Sequence, residues 1–88
     1  MNTLPMTKHA AIRQQQRSIP PLVIDWLLSY GRREKSYDAI RVSFDKKTRR
    51  NLASDVGARA VSMMSKYLAT ALVVDPATDR VITVEWLH

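Results

Sequence analysis

Pro20 and Pro21 stand directly ahead of Val23, Trp26, Leu27 and Tyr30, apolar residues at positions i, i+3, i+4 and i+7. A proline fits the first turn of a helix because its missing N–H has no partner there anyway. The spacing puts the four side chains on one stripe, which Ile24 and Leu28 widen, while Asp25 and Ser29 mark the solvent side. Such a helix needs an apolar surface to lie on, and that need constrains the fold most. Gly31 follows and is expected to close the helix in the left-handed conformation.

Segments of period two supply the surface. Ile40, Val42 and Phe44 alternate with Arg41 and Ser43, which reads as a half-buried strand over 39–44. Leu68 to Val74 and Arg80 to Trp86 read as a closing hairpin around the loop Asp75 to Asp79. Between these strands Leu52, Val56, Ala60, Met63 and Tyr67 keep helical spacing from about Thr48 to Lys66. Gly57 divides that stretch, with Ser54 or Asp55 expected to cap its second piece. Trp26, Met63 and Met64 read as core, and Trp86 as a cover over it. Thr7 is placed to cap a first helix from Lys8 to Arg17. The expected architecture is α+β: two N-terminal helices, then β-α-β-β, with the helices packed on one face of a small antiparallel sheet. The 88 residues make one domain, 1–88, in which 1–6 form a loose arm and 7–88 the folded unit.

Composition excludes several chemistries. There is no cysteine, so disulfides, thiolate zinc sites and iron–sulfur clusters are ruled out. Two histidines, His9 and His88, do not fill a zinc site, and two glycines cannot make a phosphate-cradling loop. No metal and no cofactor are expected. The start lacks the apolar core of a secretory signal, and the longest apolar run, Ala71 to Val74, is far short of the roughly 20 residues that span a bilayer. A cytoplasmic protein without membrane association is the expectation.

Charge is the informative quantity. Fourteen Lys and Arg face eight Asp and Glu, for a net charge of +6. Residues 1–50 hold eleven basic and four acidic side chains, whereas residues 51–88 hold three and four. A field concentrated in one half points to a polyanionic or acidic partner, against the plainer reading of charge for solubility. On the first helix His9, Arg13, Gln16 and Arg17 share an arc of roughly 100°. Two guanidiniums one turn apart can grip a phosphate and an imidazole can exchange a proton, the needs of phosphodiester cleavage; the competing reading is a polar face in water. Lys46, Lys47, Arg49 and Arg50, with Arg32, Arg33 and Lys35, lie on segments expected as connectors; such a cluster reads either as simply solvated charge or as a phosphate-tracking rim. Arg41 alternates with core residues and points to the other sheet face.

His9-Ala10, Arg13, Arg17, Ile19-Pro20, the Gly31 after the next helix and the closing Val81-Ile82-Thr83-Val84 together resemble a family of short prokaryotic proteins of unassigned function. That family is similar to the RelE/ParE toxin superfamily, whose fold groups with barnase- and colicin-like ribonucleases. The resemblance covers about residues 8–86. It implies helices on a curved antiparallel sheet, with RNA or ribosome contacts from basic residues on the open face. It also implies a toxin-type, metal-independent endoribonuclease acting at the 2′-OH. His9, Arg13 and Arg17 match the opening motif as catalytic candidates; Arg41, Lys46, Lys47, Arg49, Arg50, Arg32 and Arg33 are the nucleic-acid-binding candidates. Related sequences continue past the position of Trp86-Leu87-His88, and the helix after the first expected strand is longer here, departures that bear on catalysis more than on binding. Joint loss of Arg13 and Arg17 is expected to abolish cleavage and leave the melting temperature nearly unchanged. The competing function is a non-catalytic module whose basic face docks an acidic, antitoxin-like protein.

Overall fold

A computed structural model describes residues 6–87. The architecture is α+β: a four-stranded antiparallel sheet in the order β1-β2-β3-β4 with helices on one face. Residues 1–5 of the expected arm lie outside the described residues, but Met6 pairs with Val81 in a parallel bridge.

Helix α1 spans Lys8–Gln16. The Thr7 hydroxyl accepts from the Ala10 amide at 3.2 Å, satisfying one of the unpaired first-turn donors. The Thr7 backbone also donates to the Val81 carbonyl at 2.9 Å. The residue that starts the helix therefore also pins it to the last strand. Among α1 residues only Ala10 is fully buried, and after the left-handed turn at Ser18 (φ 53) the chain drops Ile19 into the core.

Helix α2, Pro21–Tyr30, buries Val23, Ile24, Trp26 and Leu27 as the stripe requires. Its end corrects one expectation. Gly31 is extended (φ −61, ψ 152), not left-handed. A Cβ there would stand 2.5 Å from the Leu27 carbonyl oxygen and 2.6 Å from Val42 Cγ1. This glycine is required by space rather than by backbone handedness.

The segment after Gly31 is the largest departure from the sequence reading. Arg32–Ser36 is a strand, β1, and not a connector; every residue in it is exposed. No apolar alternation marks it because it is an edge strand whose outer side faces water. It pairs with β2, Ala39–Ser43, across a two-residue turn, Tyr37-Asp38. The strands β3, Thr70–Val74, and β4, Val81–Trp86, form the second hairpin. The element order is thus α-α-β-β-α-α-β-β. Val42, Leu72 and Val84 stand in register across three strands, followed by Ile40, Val74 and Val81. All but the half-buried Ile40 are fully buried under α1 and α2.

Helix α3 spans Lys46–Val56 and starts earlier than its apolar spacing suggested. Asp45 accepts from the Thr48 amide at 2.8 Å, and the Thr48 hydroxyl accepts from the Asp45 amide at 2.8 Å, a reciprocal cap. Gly57 ends α3 at φ 96 and opens α4, Ala58–Met63, without a side-chain cap from Ser54 or Asp55. Asp55 instead accepts from the Tyr30 hydroxyl at 3.0 Å, which raises the tyrosine's pKa above its ordinary value. Met63, expected in the core, is 73% exposed, because the short α4 turns it outward while Met64 packs in. A 3₁₀ turn, Ser65–Leu68, delays the start of β3 to Thr70.

Candidate nucleic-acid interface

The cations named from the sequence fall into four places. Along α1, His9 and Gln16 are exposed, whereas Arg13 and Arg17 are half-buried. The Arg17 guanidinium donates to the Val84 carbonyl, and the Arg17 carbonyl accepts from Trp86 Nε1 at 3.3 Å. Arg17 is therefore a strut between α1 and β4, with Trp86 also tilted against Tyr67 at 5.8 Å between ring centres. His88 lies outside the described residues.

Arg41 sits on the opposite side of the sheet. Its neighbours there are Ser43, Ala71, Val73, Thr83 and Glu85, and across the hairpin Arg32 and Glu34. Arg41 reaches over β3 to Glu85 at 3.4 Å, and Arg32 lies 3.6 Å from Glu34 and 3.7 Å from Asp45. The open sheet face thus carries its arginines already matched with carboxylates. With α1 on one face and Arg41 on the other, His9, Arg13, Arg17 and Arg41 do not converge.

The densest cluster of cations without a carboxylate partner among the described residues is at the start of α3. Lys46 and Lys47 occupy its first turn, Arg49 and Arg50 follow, and no acidic residue accompanies them within that turn. At 100° per residue, Lys46, Lys47 and Arg50 span roughly 100°, centred nearly opposite the buried Leu52. Their side chains therefore project from the exposed side of the helix. Arg49 Nη2 donates to the Leu68 carbonyl at 3.4 Å; Lys46, Lys47 and Arg50 have no carboxylate partner among the described residues. Hydrogen bonds from the Thr48 amide and hydroxyl, then the Arg32 charge, hold the Asp45 carboxyl below its ordinary pKa, so it stays ionised as the cap. Cations in the first turn oppose the positive end of the helix dipole, each at a cost of about 0.3–1 kcal/mol.

The fourth place is the β1–β2 hairpin. Arg33 is held by Asp79 at 3.3 Å and by the Leu28 carbonyl at 3.5 Å, while Lys35 has no such partner among the described residues. Two clefts flank the turn. One, about 550 Å³, is lined by Arg33, Lys35, Tyr37, Asp38, Ile40 and Pro76; the other, about 400 Å³, by Tyr37, Asp38, Arg41, Val73 and Glu85. Neither is lined by His9, Arg13 or Arg17. Tyr37 was not among the residues singled out from the sequence: a lone tyrosine within a charged stretch carries no signal until the hairpin is known. Among the described residues no group of three His, Asp or Glu side chains is placed to hold a metal ion. No protein family, curated protein or solved structure matches this chain.

Proposed function

We propose that this chain is an RNA-binding domain that grips the phosphodiester backbone through the cations at the start of α3, assisted by Lys35 on the neighbouring strand. The observation that carries the reading is the placement of Lys46, Lys47 and Arg50 on an exposed helical arc against the dipole, none of them ion-paired among the described residues, while the capping Asp45 is engaged with Thr48 and Arg32. Such an arrangement is disfavoured in isolation and becomes favourable when a polyanion lies across it. Binding is better supported than cleavage, because Arg17 is engaged with β4 and only His9 and Arg13 of the opening motif remain for chemistry. A toxin-type endoribonuclease would need those two residues to act with groups brought by the RNA or the ribosome. A cytoplasmic location follows from the same reading; among the described residues no helix is long and apolar enough to cross a membrane.

Titration of a single-stranded RNA at increasing salt tests the proposal. Affinity should fall as salt rises, with a logarithmic slope of about 0.7 per phosphate neutralised. Replacing Lys46 and Lys47 by Glu should reduce that slope by about 1.4, the share of two contacts. Absence of binding at low ionic strength would remove the reading.

A second reading, docking of an acidic protein, is favoured by one observation. β1 is an edge strand carrying Arg32, Arg33 and Lys35, all exposed, so an acidic extended segment has both free backbone groups and opposite charge to pair with. The same lysine and arginines also protect a bare edge from self-association, and that protective role needs no partner.

A further inference from the structure

Tyr37 is 96% exposed at the tip of the β1–β2 hairpin, with a backbone φ of 56°. Positive φ is costly for a bulky aromatic residue, and glycine or asparagine would suit this turn better. A strained position that exposes a large ring to water gains nothing for the fold; the inference runs from the outlier to a use for the ring. Both clefts at the hairpin meet at Tyr37. They differ in charge. The 400 Å³ cleft contains the Arg41–Glu85 pair together with Asp38, and so offers a phosphate no free cation. The 550 Å³ cleft is lined by Tyr37 with apolar Ile40 and Pro76, and by two cations, Lys35 and Arg33, against one carboxylate, Asp38. Its size falls within the range of small-ligand clefts, about 300–1,000 Å³.

We infer that Tyr37 is a base-stacking platform for single-stranded RNA, with the unpaired base seated in the cleft against Ile40 and Pro76 and Lys35 holding an adjacent phosphate. The inference rests on the RNA-binding reading and names the form of RNA that site takes. An exposed aromatic ring flanked by cations is the arrangement by which proteins hold single strands without strict sequence choice, because every base has a flat face. Duplex RNA buries those faces and is excluded. The rest of the strand leads to the first site: from Tyr37 back to Arg32 is about 17 Å of extended chain, and Arg32 adjoins the Asp45 cap of α3. One RNA strand running along β1 therefore meets the stacking ring at one end and the α3 cations at the other.

The test uses the full chain, a single-stranded uridine 12-mer and an abasic ribose–phosphate strand of the same length. Tyr37→Ala should weaken binding of the uridine strand about 5- to 150-fold, the range for losing one stacked base. Tyr37→Phe should stay within about twofold of the native protein, since the ring and not the hydroxyl carries the contact. Neither change should alter the salt slope, and neither should affect the abasic strand. If the native protein binds the uridine strand and Tyr37→Ala binds it equally well, stacking is overturned while RNA binding stands, and the hairpin returns to the acidic-protein reading. An equal loss on the abasic strand would also overturn it, as the ring would then act without a base. If the native protein binds neither strand, the RNA-binding reading falls and this inference falls with it.

Discussion

Gly31→Ala isolates the packing between α2 and the sheet. The native backbone there, φ −61 and ψ 152, is ordinary for alanine. By chain entropy alone the substitution would stabilise the fold by about 0.4–1 kcal/mol. Space decides otherwise. The new methyl would lie 2.5 Å from the Leu27 carbonyl oxygen and 2.6 Å from Val42 Cγ1. That oxygen already accepts the Gly31 amide at 2.8 Å, so it cannot retreat without stretching the bond, and Val42 is fully buried in the central register row. Overpacking costs about 1–3 kcal/mol, and with a backbone atom involved the upper half applies, leaving a net loss of about 2 kcal/mol. For a domain of this size the melting temperature should fall by about 8–16 °C, read by circular dichroism. Gly57→Ala is the contrast: no atom lies within 4 Å of the added carbon, and only the φ of 96° opposes it. That change should cost about 1–3 kcal/mol, all of it backbone strain and none of it relieved in a Val42→Ala background. In a Val42→Ala background the Gly31→Ala penalty should shrink, because one of its two obstructions is gone. A Gly31→Ala protein that melts at or above the native temperature would refute the steric argument.

Arg17→Ala should lower stability by about 1–2 kcal/mol, since it removes a charged donor from the Val84 carbonyl, and a thermal melt reads this directly. That reverses the expectation from sequence that Arg13 and Arg17 can be removed together without affecting the melting temperature. Lys46→Glu with Lys47→Glu should raise the melting temperature slightly while weakening RNA affinity, because acids suit the first turn of a helix; a lower melting temperature would mean the lysines support the fold. The Asp45 carboxyl has a folded pKa below its ordinary value of 3.8. Its contribution to stability is therefore present above that value and lost as pH falls through the lower folded value. Denaturant titrations from pH 6 to pH 2 on the native chain and Asp45→Asn should differ in steepness only at the acid end; parallel curves throughout would contradict the cap's role.

Local chemistry made much of the fold legible. Proline before an apolar stripe, threonine before a polar helix, and alternation in 39–44 each act over a few residues, and α1, α2, β2 and the closing hairpin follow from them. The start of α3 was equally local, but its cap is an Asp45–Thr48 pair whose signal lay inside a run of cations. β1 was hidden for a different reason. An edge strand with five exposed residues buries nothing, so no hydrophobic period records it, and it exists only because β2 offers a ladder to pair with.

The same division holds for the site. Sequence alone determined how much positive charge the chain carries and that it lies in residues 1–50, because charge is a property of composition. Only the tertiary structure decided which cations stay available. Pairing with Glu85 and Glu34 neutralises the open sheet face, the Val84 carbonyl takes Arg17, and the start of α3 is left bare. Those partners lie 44, 2 and 67 residues from the arginines they hold. The two longer pairings exist only after strands and helix have packed, so no short-range pattern in the chain could announce them.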